Sequence, residues 1–382
     1  MIYFDNAATT KPYKEVLDAY VKVNEVYYAN PSSIHSFGGR VEKLVAQSRI
    51  QIAGLLKIKE KEVVFTSGGT ESNNLAIKGT ALQYGHRGKH IITTGIEHPS
   101  VTNTMKQLET LGYSITYIGA DPSGKIDPSE VEKSIQDDTI LVSVMHVNNE
   151  TGAIQPIREI GSILKGHSKI LFHVDGVQAC GKIPLSFHDH HIDLYSISAH
   201  KIHGLKGTGM LCVREGVTLS PLLTGGEQEG NIRSGTENTG GIVSFAKAMR
   251  MYFDKSHEHL NSLRDIHYYL RKELVTIDGV TVHTPIDSSP HILNFSIKDF
   301  KSEVLVHALD RHEVYISTTS ACSSKKSKPS PTLLSMGVGE ALADSAIRIS
   351  LSFQNTMEEA AQFLQLLKNE TAQLQKTMRR SR

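Results

Sequence analysis

The first two-thirds of the chain alternate short apolar runs with segments of helical periodicity. The runs are nearly continuous in Val, Ile and Leu, and they lie within 62–69, 90–98, 139–147, 169–176, 193–200 and 207–213. Such runs are typical of strands that are covered on both faces. Helix-compatible segments lie among them at 71–83, 99–111 and 156–166. The alternation predicts an α/β domain with a mostly parallel sheet flanked by helices.

After about residue 255 the pattern changes. The sequence predicts helices at 257–275, at 302–311 and at the C-terminus, with strands at 280–283, 291–297, 313–317 and 346–353. This mixture is typical of a smaller α+β unit. We therefore predict a large domain at 13–255 and a small domain formed by 1–12 and 256–382.

The composition excludes several classes of protein. Lys plus Arg number 41 and Asp plus Glu number 40, so net charge gives no reason to expect a membrane or nucleic acid as partner. No stretch has the roughly 18–20 apolar residues of a membrane span, and the start "MIYFDNAATTKP" has no apolar signal region. The three cysteines form no CxxC pair, which argues against disulfides and a Cys-based zinc site. We expect a cytoplasmic protein with free thiols.

Polar clusters follow five of the predicted strands. They are "TSGGTESNN" (66–74), "EHPS" (97–100), "NNETG" (148–152), "DGVQ" (175–178) and "AHK" (199–201). Ligands of doubly wound sheets bind outside the carboxyl ends of the strands. Five such clusters together predict a binding site at that edge.

Two of these clusters favour a phosphorylated, ring-containing ligand. In "SGGTES" (67–72), two glycines at a helix start would offer free N–H groups to a phosphate, although the spacing is not that of a nucleotide P-loop. An ordinary capped turn is the alternative. Asp175 ends a buried strand, where a carboxylate needs a cationic partner such as a protonated pyridine nitrogen. A helix N-cap, or a metal site shared with His173, would be the alternatives for Asp175, and the metal site has little support because no further ligands lie nearby.

His98 and Lys201 are the candidates for proton transfer and covalent catalysis. His98 could stack on a flat cofactor or carry a proton near neutral pH, although one of nineteen histidines is more often structural. Lys201 follows a buried strand on a glycine-containing loop, "YSISAHKIHGLKG" (195–207). A lysine in a desolvated pocket can react with a carbonyl cofactor, whereas a lysine on a surface loop would have no such role.

The chain resembles the cysteine desulfurases of the NifS/IscS-like group, which are class V aminotransferase family enzymes of PLP fold type I. The resemblance runs nearly from end to end through "YFDNAATT", "NPSSIH", "VVFTSGGTESNNLAIKG", "EHPSV", "MHVNNETG", "HVDGVQACGK", "SAHKIHGLKGTG", "RSGTEN", "SACSS" and "IRISL". Each segment is moderately specific, and their order and spacing make the likeness strong. It implies pyridoxal 5′-phosphate (PLP) as the cofactor and no metal.

The resemblance also assigns residues to the parts of this cofactor. Lys201 corresponds to the lysine that binds PLP covalently, Asp175 to the partner of the pyridine nitrogen and His98 to the histidine that stacks on the ring. By the same resemblance, the phosphate would be bound by Gly69, Thr70, Ser198 and His200. The phenolic oxygen would be bound by Asn149 and Gln178. Thr236 corresponds to a residue that reaches the phosphate from the neighbouring subunit, which implies a homodimer.

Two further residues concern the substrate and its sulfur. Alternation in "AIRISLSF" places Arg348 opposite the apolar face of a strand, where it is either solvated or able to grip a substrate carboxylate. The resemblance places the carboxylate-binding arginine here and implies a substrate contact for Asn30. Cys322 lies in a stretch rich in Ser and Lys (317–331), which predicts an exposed loop where nearby lysines modestly favour the thiolate. Cys180 and Cys212 lie in or beside core strands, where we expect inert thiols.

The resemblance implies that sulfur is removed from L-cysteine, leaving L-alanine and a persulfide on Cys322. The persulfide would pass to an acceptor protein for iron–sulfur cluster assembly or tRNA thiolation. A selenocysteine lyase or a transaminase on the same scaffold is an alternative, as is a non-catalytic sulfur-relay scaffold. One segment departs from the family: "GGEQEGNIRSGT" (225–236) replaces the common "GGxQERGxRSGT". We expect this segment near the dimer contact and the site entrance, where the departure would affect partner choice or loop docking.

Overall fold

A computed structural model describes residues 1–318 and 329–380 of the chain. Its helices are α1 (Lys14–Val26), α2 (Ser36–Leu56), α3 (Gly69–Tyr84), α4 (Pro99–Thr110), α5 (Pro128–Lys133), α6 (Ile157–Leu164), α7 (Thr239–Leu274), α8 (Ser302–Asp310), α9 (Pro331–Ser335), α10 (Glu340–Asp344) and α11 (Met357–Arg380). Its strands are β1 (Ile2–Tyr3), β2 (Val63–Thr66), β3 (His90–Thr94), β4 (Ser114–Ile118), β5 (Thr139–Met145), β6 (Leu171–Asp175), β7 (Leu194–Ser198), β8 (Gly209–Val213), β9 (Val280–Val282), β10 (Ile292–Ile297), β11 (Val314–Tyr315), β12 (Ser317–Thr318) and β13 (Ala346–Ser350).

Seven strands form the larger sheet, in the order β2-β8-β7-β6-β5-β3-β4. Neighbouring strands from β7 to β4 pair in parallel, whereas β8 runs antiparallel to both β7 and β2. The carboxyl ends of β2, β3, β5, β6 and β7 therefore meet at one edge. The predicted α/β fold with a mostly parallel sheet is confirmed.

Both faces of this sheet are buried, as the apolar runs predicted. Ile92 and Val142 belong to one core cluster, and their neighbours Ile91 and Leu141 belong to another. Successive side chains of a strand point to opposite faces, so each strand contributes to both clusters. The edge strand β4 was not predicted, because "SITYI" is only partly buried and lacks a continuous apolar run.

A second sheet of four antiparallel strands, in the order β12-β13-β10-β9, packs with α8 and α11. Its core includes Phe295, Ile347 and Phe363, and also Phe4 from the other end of the chain. The N-terminal strand β1 pairs in parallel with β11. The first residues thus pack with the C-terminal unit, while the assigned domain boundaries stay a prediction.

Helix α7 continues through the position where the sequence predicted a change of domain. The prediction of a separate helix at 257–275 was wrong, because α7 begins at Thr239 and runs unbroken to Leu274. No Gly or Pro interrupts 242–274, so nothing in the sequence ends the helix there. Its first part packs into the core of the large sheet through Phe245, and its last part into the second core through Leu270.

Thr356 and Glu359 form a capping box at the start of α11. The backbone N–H of Glu359 donates to Thr356 Oγ1 at 3.2 Å, and Thr356 N–H donates to Glu359 Oε2 at 3.1 Å. These bonds satisfy two backbone donors that the helix leaves unpaired. Within the described residues, no helix is both long and apolar enough to cross a membrane.

Helix α6 packs closely at Gly161 against the backbone of the segment that contains His190. A Cβ atom there would lie 1.9 Å from the carbonyl oxygen of His190, whereas a Cβ at Gly54 on α2 would have no neighbour within 4 Å. We expect Gly161→Ala to lower stability by about 1–3 kcal/mol because backbone must move. Gly54→Ala should leave stability unchanged or raise it by up to about 1 kcal/mol. Equal midpoints of thermal unfolding for the two variants, measured by calorimetry, would contradict this packing.

Candidate active site

A cavity of about 220 Å³ opens at the carboxyl edge of the large sheet. Every one of the five polar clusters found in the sequence contributes to its wall. The lining residues are Ala8, Gly69, Thr70, Asn73, His98, Ser100, Met145, Val147, Asn149, Asp175, Val177, Gln178, Ser198, His200 and Lys201. The parallel strands thus bring together groups that are far apart in sequence, as expected for a ligand site in this architecture.

One end of the cavity is built like an anion site. Helix α3 begins at Gly69, and the backbone N–H groups of a first helical turn have no partner within the helix. Gly68 has φ of 150°, a conformation that favours glycine. A Cβ atom at Gly69 would lie 2.7 Å from Val177 Cγ2, so the close approach also requires glycine. The free N–H groups and the positive helix end suit a phosphate.

His200 lies beside this anion site. Burial, together with the nearby lysines, lowers the pKa of its imidazole to about 3. The ring is therefore neutral at physiological pH. Its Nδ1 lies 3.2 Å from Thr9 Oγ1.

Asp175 ends β6 and is 5 % exposed. Its carboxylate accepts hydrogen bonds from Asn73 Nδ2 at 2.7 Å and from the backbone N–H of Val177 at 3.0 Å. Two donors hold the group in place. The sequence did not single out Asn73, although its position one helical turn after Gly69 would have placed it on the same face of α3.

His98 caps the N-terminus of α4 and also faces the cavity. Its Nδ1 accepts the backbone N–H of Ser100 at 3.1 Å. Burial lowers the pKa of His98 below its usual value, although the negative charge of Asp175 acts in the opposite direction. The neutral ring therefore carries its proton on Nε2.

Lys201 follows β7, and its ammonium group reaches the start of the chain. Nζ donates to the carbonyl oxygens of Ala7 and Ala8, the latter at 2.8 Å. A second lysine, Lys182, lies behind it with Nζ 3.4 Å from the carbonyl oxygen of Lys201. Burial lowers the pKa of Lys182 to about 8, and the charge of Lys201 contributes in the same direction. No sequence pattern singled out Lys182, which follows two small residues on a turn.

Arg348 is buried, with 1 % of its surface exposed, so a solvated arginine is excluded. Nη2 pairs with Asp5 Oδ1 at 2.9 Å, and Nη1 donates to the carbonyl oxygen of Asn149 at 3.0 Å. Among the described groups, its Nε has no hydrogen-bond partner. Burial raises the pKa of Asp5 above its usual value, even though Arg348 favours the carboxylate. The guanidinium thus keeps an unpaired Nε–H group and a carboxylate partner that is partly desolvated.

Of the predicted site residues that the structure describes, three do not line the cavity: Arg348, Asn30 and Thr236. Asn30 is exposed, and its Oδ1 accepts the backbone N–H of Ser32 at 2.9 Å. Thr236 is also exposed. Cys322 lies outside the described residues. The roles assigned to these four residues stay predictions.

The segment that departs from the family is held by a half-buried ion pair. Arg49 contacts both carboxylate oxygens of Glu229, at 3.0 and 2.7 Å, and Glu229 also accepts the backbone N–H of Phe65. Glu229, Gly230 and Asn231 all have positive φ. Asn tolerates this conformation better than most residues, which explains how it can stand where relatives have Gly.

Within the described part of the chain, no group of three or more His, Cys, Asp or Glu side chains could hold a metal ion. The cavity wall instead offers one amine, one carboxylate, two imidazoles and an anion site.

Comparison with known proteins identifies relatives over nearly the whole chain. The family model described as aminotransferase class V matches residues 2–363. The chain is 45 % identical to a "NifS/IcsS protein homolog" of Lactobacillus delbrueckii subsp. bulgaricus, covering 95 % of each chain. It is 42 % identical to the "Cysteine desulfurase IscS" of Dictyoglomus turgidum, covering 96 % of this chain and 93 % of the relative. A solved "NifS-like protein" superposes with a TM-score of 0.92 at 37 % identity, covering 97 % and 99 % of the two chains.

The three cysteines should differ sharply in reactivity. Cys180 and Cys212 are buried, and burial raises the pKa of Cys180 to about 12 and that of Cys212 well above its usual value. Buried thiols in this state do not react as thiolates. We expect a disulfide reagent at pH 8 to modify one thiol per native chain, at Cys322, and three after unfolding. The Cys322→Ala variant should show none when native. Mass spectrometry locating a label on native Cys180 or Cys212 would contradict this.

Proposed function

The chain belongs to the class V aminotransferase family and is a cysteine desulfurase, and on this premise we propose that the cavity at the sheet edge is its active site. The observation that carries this proposal is the convergence of Lys201, Asp175 and His98 on one cavity beside an anion site. These groups come from three different strand ends. An amine, a carboxylate and an imidazole around an anion site form the set that PLP chemistry requires.

Enzymes of this family depend on PLP, and the residues present fit that cofactor. When bound, PLP supplies an electron sink that stabilises negative charge at the α-carbon of an amino acid. Lys201 would hold it covalently, Asp175 would face its pyridine nitrogen and His98 would stack on its ring. The phosphate would be held by Gly69, Thr70, Ser198 and His200, and the phenolic oxygen by Asn149 and Gln178.

The chain's own residues then have distinct tasks. Arg348 would bind the carboxylate of L-cysteine and so select which bond at the α-carbon is broken. The substrate carboxylate would replace the Asp5 carboxylate on the guanidinium, or bind beside it. The raised pKa of Asp5 makes this replacement easier. Nζ of Lys201 would take the α-proton. The Nε2–H group of His98 is placed to donate a proton in the cavity.

Cys322 would accept the sulfur. The C–S bond of L-cysteine breaks and an S–S bond forms on Cys322. The sulfur of the substrate becomes the outer sulfur of the enzyme persulfide, and the carbon that loses it takes up a proton to give L-alanine. Support comes from β12, the last described strand before Cys322: Ser317 is the register partner of Arg348 on β13. The described residues that precede Cys322 therefore lie beside the proposed carboxylate site.

We propose further that the enzyme is a homodimer in which Thr236 reaches the phosphate of the neighbouring site. The exposure of Thr236, and its absence from the wall of its own cavity, support this arrangement. The persulfide would be passed to a sulfur-acceptor protein, either a scaffold for iron–sulfur clusters or an enzyme of tRNA thiolation. We place the enzyme in the cytoplasm, and its balanced net charge gives no reason to expect direct binding to nucleic acid or membranes.

Incubation of the PLP-loaded protein with L-cysteine and a reductant tests the central roles. We expect alanine and sulfide from the wild type, neither product from Lys201→Ala, and loss of sulfide from Cys322→Ala. Lys206→Ala is a matched control, because Lys206 is an exposed lysine on the same loop. Normal sulfide release by Cys322→Ala would refute the persulfide assignment. A large preference for selenocysteine over cysteine would favour a selenocysteine lyase.

The proposed role of Arg348 predicts a specific kinetic change. Arg348→Lys keeps the charge but loses the planar donor pair and its contact to Asn149. We expect kcat/KM for L-cysteine to fall by at least about tenfold, the loss typical of a charge-assisted hydrogen bond, mainly through KM. Lys368→Arg, a conservative exchange in a surface ion pair with Glu273, is the control and should change neither constant. An unchanged KM in Arg348→Lys would remove Arg348 from substrate binding.

A further inference from the structure

His291 lies just before β10 in the second sheet, yet it contacts the wall of the cavity. Its Nε2 is 3.3 Å from Oε1 of Gln178, and its Nδ1 is 2.6 Å from Ser289 Oγ. All three side chains are buried, with exposures of 1 % for His291, 5 % for Gln178 and 0 % for Ser289. None of the residues singled out in the sequence lies between 290 and 300, so His291 was not a candidate from the sequence.

The hydrogen-bond partners of Gln178 define which end of its amide faces His291. Gln178 Nε2 donates to the carbonyl oxygen of Ala7 at 3.0 Å. The same carbonyl accepts the ammonium group of Lys201. Because Ala7 O can only accept, Gln178 must place its NH2 group there and turn its Oε1 towards His291.

These hydrogen bonds determine which ring nitrogen of His291 carries the proton. Burial, assisted by the positive charges of Lys182 and Arg348, holds the pKa of His291 well below its usual value. A neutral imidazole has one N–H group and one acceptor nitrogen. Nε2 must carry the proton in order to donate to Gln178, and Nδ1 then accepts from the hydroxyl of Ser289. The chain of donors runs from Ser289 through His291 and Gln178 to Ala7.

We propose that His291 is a positioning residue for the desulfurase reaction, which fixes the amide of Gln178 so that an N–H group remains available to the cavity. Gln178 Nε2 has two hydrogens, and the bond to Ala7 uses one of them. The proposal rests on the role proposed above for Gln178 at the phenolic oxygen of PLP. Without His291, a buried amide oxygen would lack its donor, and the amide would lose its fixed orientation.

The segment that carries His291 is itself well anchored. Leu351 N–H donates to the carbonyl oxygen of His291 at 2.8 Å, and Ser289 N–H donates to the carbonyl oxygen of Gly152 at 2.8 Å. Gly152 belongs to the loop that includes Asn149, the other residue proposed for the phenolic oxygen. His291 is therefore held by backbone bonds on both sides, which suits a residue that must present one N–H group at a fixed point.

The experiment compares His291→Leu, His291→Gln and a matched control, His283→Leu. His283 is also a buried histidine, 9 % exposed, whose Nε2 lies 2.7 Å from Ser296 Oγ and which does not line the cavity. The dissociation constant for PLP and the absorption maximum of the bound cofactor are measured for each purified protein. Both readouts are independent of turnover.

We expect His291→Leu to raise the dissociation constant for PLP about tenfold and to shift the absorption maximum. His291→Gln, which can supply an N–H group near the position of Nε2, should stay within about threefold of the wild type. His283→Leu should keep the wild-type constant and spectrum. The proposal is overturned if His291→Leu behaves as His283→Leu does, or if His291→Gln is impaired as strongly as His291→Leu.

A second variant keeps the test decisive if His291→Leu does not fold. Ser289→Ala removes the hydroxyl that holds the proton on Nε2 and leaves His291 in place. We expect a smaller change in the same direction in both readouts, and a wild-type spectrum and constant for Ser289→Ala would then count against the proposal. Failure of the proposed function would look different, because the wild type would bind PLP without forming alanine from L-cysteine.

Discussion

The parallel pairing of β5, β6 and β7 is the constraint on which the site depends. Asp175 at the end of β6 is in register with Met145 on one side and Ser196 on the other. Parallel strands in register bring their carboxyl ends to one edge, so the groups that follow them must meet. The carboxylate, the amine after β7 and the loop after β5 share one cavity for this reason. Their sequence order matters less than the strand that each one follows.

Much of this arrangement could be predicted from the sequence, because it depends on local patterns. Apolar runs identified six of the seven strands in the large sheet, and the polar clusters after five of them line the cavity. The edge strand β4 was missed because an edge strand needs less apolar surface. The unbroken α7 was divided because a change of tertiary environment leaves no mark on helical periodicity.

Contacts between distant parts of the chain could not be predicted in the same way. Asp5 and Arg348 are separated by 343 positions, and Lys201 donates to backbone carbonyls that no side-chain pattern reveals. His291 contacts Gln178 across 113 positions. In each of these pairs, only the tertiary fold brings the two partners together. The first eight residues take part in two of these contacts, and they lie along the boundary between the two units.

Helix α7 has a mechanical consequence. Thirty-six residues in one helix form a rod about 54 Å long, and its two ends are embedded in different cores. A loop between the units would act as a free hinge, but a rod resists rotation because bending it strains a ladder of backbone bonds. The helix thus limits how far the unit that carries Arg348 can rotate relative to the sheet that carries Lys201. An enzyme that must break one particular bond of a three-carbon substrate gains selectivity when the side chains of its two units are held at fixed positions.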